Sequence, residues 1–328
     1  MKIAFFTESK YRGKGVPRNY NNMRTDIAWM CSLDAAHYPI PLIINEGCKE
    51  HYDVGIVIIP KTTGGNTGAS KNPYDRDNLT KQNYPLIKTI KTICDKVLVM
   101  QESTHWDWQE DPVPIMIWYY TQLTEADAIL CHNDIDIPYF KGITNKPAFI
   151  LPTLMIEDSI STISQQKEDK VFVAGNWHTT YRGFDAWVIG QEFELPMVGF
   201  KSGKFEHGEE QNGINYLPWM NLAQFMNELS KCKFGVQCYQ ASAGQFPLNC
   251  AYLGVPCIGY DDINTQRDLF PNLSVKRGDI ISARKLAHQL QNDKDWYKEN
   301  VKIAKFNYDQ WYKEDKFLEN WNQIIKKI

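Results

Sequence analysis

Several common signals are missing from these 328 residues. No segment approaches the roughly 18 consecutive apolar residues that a membrane-spanning helix needs. There is no cationic surplus: 36 Lys and Arg face 39 Asp and Glu, a net charge of −3, so no global field advertises a polyanionic partner. The 8 cysteines form no CxxC pair, which argues against a structural zinc site. Several lie inside apolar runs (Cys131, Cys238, Cys257), as reduced core thiols do. The Gly- and Asn-rich stretch 61–77 lacks the GxxxxGK[ST] spacing of a Walker loop, and no strand runs into GxGxxG, which argues against a dehydrogenase. Met1 leads directly into Lys-Ile-Ala-Phe-Phe, without the apolar stretch and cleavage site of a signal peptide, so a cytoplasmic location is expected. Low-complexity tracts and short-period repeats are also missing.

What is present is alternation. Short, continuously apolar, β-branched runs at 2–7, 54–59, 97–100, 128–131 and 147–151 are separated by stretches of helical period. Such runs predict parallel strands buried on both faces. The pattern restarts near residue 170, with strands predicted at 171–174, 196–200, 214–217, 234–238 and 255–259. Between them, Leu222, Phe225, Met226 and Leu229 share one helix face. Two sets of βα units predict an α/β protein of two Rossmann-like, doubly wound domains. The proline-headed, polar segment 152–169 reads as the linker, with domains at 1–152 and 153–305. A terminal helical segment, 306–328, carries Trp311, Leu318, Trp321, Ile325 and Ile328 as a proposed apolar stripe.

In open α/β sheets ligands bind beyond the carboxyl ends of the strands. After strand 234–238 come small residues (Ala241, Ser242, Ala243, Gly244), then a predicted helix starting at Gln245–Pro247 and ending at Gly254. Small residues ahead of a helix start let backbone N–H groups approach a phosphate, and a purely structural strand-turn-helix has the same composition. Arg182, in the loop GNWHTTYRG after strand 171–174, is either a diphosphate clamp or a solvated surface arginine. Lys201 stands similarly after the next strand. The loop 10–24 interleaves Lys10, Arg12, Lys14, Arg18 and Arg24 with two tyrosines, a pattern that holds an anionic polymer, reaches donor phosphates, or is merely solvated.

The stretch Asn249-Cys-Ala-Tyr-Leu-Gly-Val-Pro-Cys-Ile-Gly259 resembles the nucleotide-binding segment of GT-B glycosyltransferases. Asn215-Tyr-Leu-Pro through Phe234-Gly-Val-Gln-Cys-Tyr239 is similar to that group's strand-helix-strand unit. Val171-Phe-Val-Ala-Gly-Asn176 resembles the first strand of its donor domain, and Glu125-Ala-Asp-Ala-Ile-Leu-Cys-His132 the last step of its acceptor domain. The likeness is one of layout over nearly the whole chain. Many retaining members carry a pair of glutamates where this chain has Ala241 and Asn249. Within the superfamily the chain is most similar to phage DNA β-glucosyltransferases, which are inverting, through Met1-Lys-Ile-Ala, the Gly175/Arg182 loop, Val198-Gly-Phe-Lys201 and the aromatic terminal helix.

The resemblance implies two domains facing a cleft, with the terminal helix crossing back to the first. It implies a nucleotide-sugar donor, UDP-sugar favoured, without an obligatory metal. The donor would meet Gly175, Asn176, Arg182, Lys201, Ser242, Gly244, Gln245 and Asn249. Inverting transfer needs a base for the acceptor hydroxyl, and Glu102, at a strand end, inherits that role, with Asp107 and Glu8 as rivals. Arg12, Arg18, Arg24 and His105 are expected on the acceptor side. The acceptor classes left open are DNA with a hydroxymethylated base, a polysaccharide and a small molecule. The competing readings are a non-catalytic two-domain binding protein and a sugar-nucleotide epimerase.

Overall fold

The computed structural model describes every residue except 9–12, 61–72, 102–104, 106, 161–162, 164–165, 176–182, 201–207 and 239–242. The chain divides into two compact units. One comprises Met1–Pro17, Trp29–Leu151 and Leu318–Ile328, the other Arg18–Ala28 and Pro152–Phe317.

In chain order the first half supplies β1 (Ile3–Thr7), β2 (Gly13–Lys14), α1 (Thr25–Ser32), β3 (Ala36–Pro39), α2 (Ile40–Glu46), β4 (Tyr52–Val57), α3 (Arg76–Lys81), α4 (Leu86–Ile90), β5 (Cys94–Gln101), α5 (Val113–Glu125), β6 (Ala128–Cys131), α6 (Asp136–Thr144) and β7 (Ala148–Ile150). Its sheet runs β2-β3-β1-β4-β5-β6-β7 and is parallel except for β2. Every residue of β1 and β6 is buried, as a strand covered on both faces requires. Because side chains alternate, Ala4, Phe6, Val97, Val99, Ile129 and Cys131 enter one core with Ile87, Ile90 and Leu123 from the helices. Strand β1 starts the sheet and the order reverses beside it, so the switch point lies between β1 and β4.

The second half supplies β8 (Glu168–Ala174), α7 (Gly183–Gln191), β9 (Met197–Phe200), β10 (Asn215–Leu217), α8 (Leu222–Lys231), β11 (Cys232–Gln237), α9 (Gln245–Leu253), β12 (Cys257–Tyr260), α10 (Asn264–Leu269), β13 (Ser274–Val275), α11 (Ile280–Asn292), α12 (Lys294–Trp311) and α13 (Glu314–Ile325). Its sheet, β10-β9-β8-β11-β12-β13, is wholly parallel. Counted within the unit this is the order 3-2-1-4-5-6, with the switch point between β8 and β11. Both units are therefore doubly wound.

The structure departs from the sequence reading in three places. Strands β2, β3 and β13 were not expected. β3 holds His37 and Pro39, and β13 has only two residues, so neither carries an apolar run. Segment 152–156 is not a solvated linker, since Leu154, Met155 and Ile156 are fully buried. The terminal helical segment breaks between α12 and α13, and the buried face of α13 is Phe317, Trp321 and Ile324, while Trp311 is 50% exposed. All eight cysteines are free, seven of them buried. Among the described residues no helix is long and apolar enough to cross a membrane.

Candidate functional site

The second unit holds a cavity of about 360 Å³. It opens where β8, β9 and β11 end, at the switch point of the sheet. Gly175 follows β8, Gln237 closes β11, and Gln245 and Asn249 stand in the first turns of α9. Arg24 and Thr25, from the early segment that belongs to this unit, complete the lining.

Helix α9 starts abruptly because of Gly244. This residue adopts the left-handed conformation, φ 80°, and a Cβ there would run into the Thr265 hydroxyl. Thr265 Oγ1 instead donates to the Gly244 carbonyl at 2.8 Å. The capping glycine brings no side-chain oxygen to the first N–H groups of the helix, so the positive end of its dipole stands at the cavity wall.

A polar chain runs along the same wall. The Thr25 hydroxyl donates to Gln245 Oε1 at 2.8 Å and lies 3.1 Å from that of Thr153, which also reaches Gln245 Oε1 at 3.2 Å. Gln245 Nε2 donates to Asn249 Oδ1 at 3.3 Å. With its carbonyl oxygen engaged, Asn249 has its amide NH₂ group to offer a ligand, although the residue is only 1% exposed. Four phenylalanines form the apolar lining. Phe172 meets Phe225 and Phe246, each at 5.5 Å between ring centroids, and Phe200 meets Phe225 at 6.2 Å. Sequence reasoning missed this cluster because its members lie far apart in the chain. The available signal was that each occupies a strand, a strand end or the apolar side of a helix.

Of the expected donor residues, Gly175, Gln245 and Asn249 line the cavity and Gly244 shapes it. Asn176, Arg182, Lys201 and Ser242 lie outside the described residues. Arg24, expected on the acceptor side, lines this cavity instead. Arg18 has its guanidinium taken up: Nε donates to Asp158 at 2.5 Å, and Nη1 and Nη2 donate to Glu314 at 2.9 and 2.6 Å. The two carboxylates raise its pKa further above the ordinary arginine value and hold it in an ion pair within its own unit. Arg12 lies outside the described residues.

In the first unit, exposed Glu8 follows β1 at the switch point. Glu102 lies outside the described residues, and Asp107 opens a 3-10 turn, Asp107–Glu110. His105 follows β5, with Nδ1 2.8 Å from Asp136 Oδ1. The same oxygen accepts from the His105 backbone N–H at 2.9 Å, and the imidazole stacks on Tyr139 at 4.4 Å. Asp136 is 2% exposed, and burial pushes its carboxyl above the usual range while the bonds from His105 pull it back. A histidine oriented through Nδ1 by a buried carboxylate is held in one tautomer and one orientation, as a general base requires. Sequence spacing did not suggest this pair, because its members come from different βα units. Among the described residues there is no group of three or more His, Cys, Asp or Glu able to hold a metal ion.

No family model matches this sequence, and no curated protein does. Solved structures do resemble its fold. An alpha-glucosyltransferase in complex with UDP and a 13-mer DNA containing a HMU base superposes with a TM-score of 0.63 at 12% identity over 99% of both chains. HepE from Anabaena, in complex with UDP and glucose, gives 0.66 at 8% identity over the whole of both chains. TarM from S. aureus gives 0.60 at 11% identity over 82% of this chain, which spans only 54% of TarM. At such identities the likeness speaks for the fold alone: the chain has the GT-B fold of these glycosyltransferases, with two Rossmann-like units.

Proposed function

We propose that the protein is a glycosyltransferase that takes a sugar from a nucleotide-sugar donor, a UDP-sugar, and passes it to an acceptor hydroxyl. The observation that carries this reading is the cavity at the β8/β11 switch point, where a helix N-terminus, the Asn249 amide and an aromatic wall converge. The fit is chemical. The N-terminus of α9 and Arg24 suit a diphosphate, the amide suits a ribose or sugar hydroxyl, and the phenylalanines suit a planar base. Proteins of the same fold were crystallised with UDP. Asn176, Arg182, Lys201 and Ser242 are proposed as further donor contacts, Arg182 and Lys201 on the diphosphate.

The acceptor hydroxyl attacks C1 of the sugar, the C1–O bond to the diphosphate breaks, and a base takes the hydroxyl proton. The leaving group departs as UDP, its charge met by the helix N-terminus and the cations. In the inverting form the base is Glu102, with Asp107 and Glu8 as rivals. A second assignment, His105 held by Asp136, is favoured by the geometry of that pair. Hydroxymethylated DNA, a polysaccharide and a small molecule are the acceptor classes to be screened.

The test is a thermal-shift series with UDP, UDP-glucose, UDP-N-acetylglucosamine, GDP and ADP, followed by UDP release from the stabilising donor. A ligand at a hundred times its Kd stabilises by about 2.7 kcal/mol. Stabilisation by a uridine ligand together with UDP release supports the reading. Binding without turnover points to a non-catalytic binding protein, and an unchanged Tm with all five ligands overturns the proposal. The product's anomeric configuration then tests the inverting mechanism.

A further inference from the structure

A second concavity of about 560 Å³ lies in the second unit, between the end of β10 and helix α8. Its most prominent feature is Trp219, which is 61% exposed. Indole is the largest apolar side chain, and leaving most of it in water forgoes a large hydrophobic gain. Among the described residues its ring meets no other aromatic and its N–H has no hydrogen-bond partner. Pro218, also exposed, precedes it.

Facing this apolar platform are Gln224, Asn227 and Glu228 from one side of α8. Gln224 Oε1 accepts from the Asn221 backbone N–H in a capping box, which fixes the side chain, and its NH₂ group has no partner among the described residues. The Asn227 amide has no partner among the described residues. Glu228 is paired with Lys231 at 2.5 Å. Among the described residues no lysine or arginine lines the concavity.

A flat aromatic face beside amides and a carboxylate matches the surface of a pyranose. One face of the sugar ring presents C–H bonds that pack on an indole. Its rim presents hydroxyls, each both donor and acceptor, which amides and carboxylates satisfy from either side. Among the described residues the lining carries one carboxylate, Glu228, and no cation, which disfavours a phosphate backbone there. Met220 lines both this concavity and the candidate donor cavity, so the two adjoin.

We propose that the Trp219 groove is a binding site for a neutral oligosaccharide, seated beside the donor cavity. Its role in transfer rests on the glycosyltransferase reading, while its binding does not. The test is calorimetry on the full chain with maltohexaose, cellohexaose and chitohexaose, and a single-stranded 13-mer oligodeoxynucleotide as the anionic comparator. At least one oligosaccharide should bind. Trp219→Ala should weaken that binding by about tenfold or more, consistent with roughly 1.4 kcal/mol per tenfold change. Trp219→Tyr should retain most of it, and Gln224→Ala should weaken it less than Trp219→Ala. Phe306→Ala removes an equally exposed aromatic on α12 and should change nothing. Failure of all three oligosaccharides, unchanged affinity in Trp219→Ala, or binding of the oligonucleotide alone would overturn the proposal. UDP-induced shifts measured on the same variants keep the two readings apart. If the wild-type chain ignores uridine ligands yet binds glycan through Trp219, the donor reading fails and this one stands.

Discussion

At the scale of single residues, the candidate base whose surroundings are described in most detail is His105. His105 is fixed three ways: its ring nitrogen and backbone N–H both meet one Asp136 oxygen, and its ring stacks on Tyr139. Such fixation keeps one tautomer and one orientation, as a general base requires. Asp136→Asn keeps the size and can still accept from the backbone, but its amide no longer stabilises a protonated imidazole. If His105 is the base, Asp136→Asn should lower kcat by about 10²–10⁴, the usual worth of general base catalysis, with the Kd for UDP nearly unchanged. The pH–rate profile should change with it. Glu102→Gln, Asp107→Asn and Glu8→Gln are the comparators. Collapse in Glu102→Gln with normal turnover in Asp136→Asn would return the role to the carboxylate read from the sequence. His105 was legible as a polar residue beyond a strand end. Asp136 was not, because nothing in its spacing links it to a residue 31 positions earlier.

At the scale of elements, legibility followed chemistry. VFVA, AILC and VLVM are buried on both faces, so each is continuously apolar and reads as a strand at sight. Helix α9 was legible at both ends because glycines mark them, Gly244 and Gly254, each in the left-handed conformation. β3 was not legible, since His37 serves a buried polar contact, 2.9 Å from the Thr7 hydroxyl, rather than an apolar core. The terminal helix was legible as a helix but not in phase. The stripe read from the sequence shares only Trp321 with the buried face, Phe317, Trp321 and Ile324. Two tryptophans make the difference measurable. Trp321 is 2% exposed, so Trp321→Ala should cost about 3–5 kcal/mol, as large-to-small core changes do. Trp311, half exposed, should cost about 0.5 kcal/mol or less on truncation. Chemical denaturation of the two variants decides it, and equal losses would mean that α13 is not anchored through Trp321.

At the scale of the whole molecule, the two compact units are not two continuous stretches of sequence. The restart near residue 170 was legible as the beginning of a second set of βα units. The membership of Arg18–Ala28 in that second unit was not. Those residues precede Pro152 by more than a hundred positions, and only folded contacts bring them in: the Ala223 N–H donates to the Asn21 carbonyl at 3.1 Å, and Thr25 joins the Thr153–Gln245 chain. Met23, fully buried, and Ile27 add apolar area to the union. A fragment spanning 152–317 therefore lacks part of its own unit and two lining residues of its cavity. On the glycosyltransferase reading it should bind UDP at least about tenfold more weakly than the full chain, since a hydrogen bond to a charged group contributes about 1.5–3 kcal/mol and Arg24 supplies one such contact. Loss of folding would imitate that result, so the full chain must carry the same test. Arg24→Ala should weaken UDP by a comparable factor with little change in Tm, because the side chain is exposed. Thr25→Val should act through Gln245, loosening the Asn249 amide and weakening UDP less than Arg24→Ala. A folded fragment with undiminished affinity, or full-chain variants that bind as tightly as the wild type, would show that the early segment closes the unit without serving its ligand.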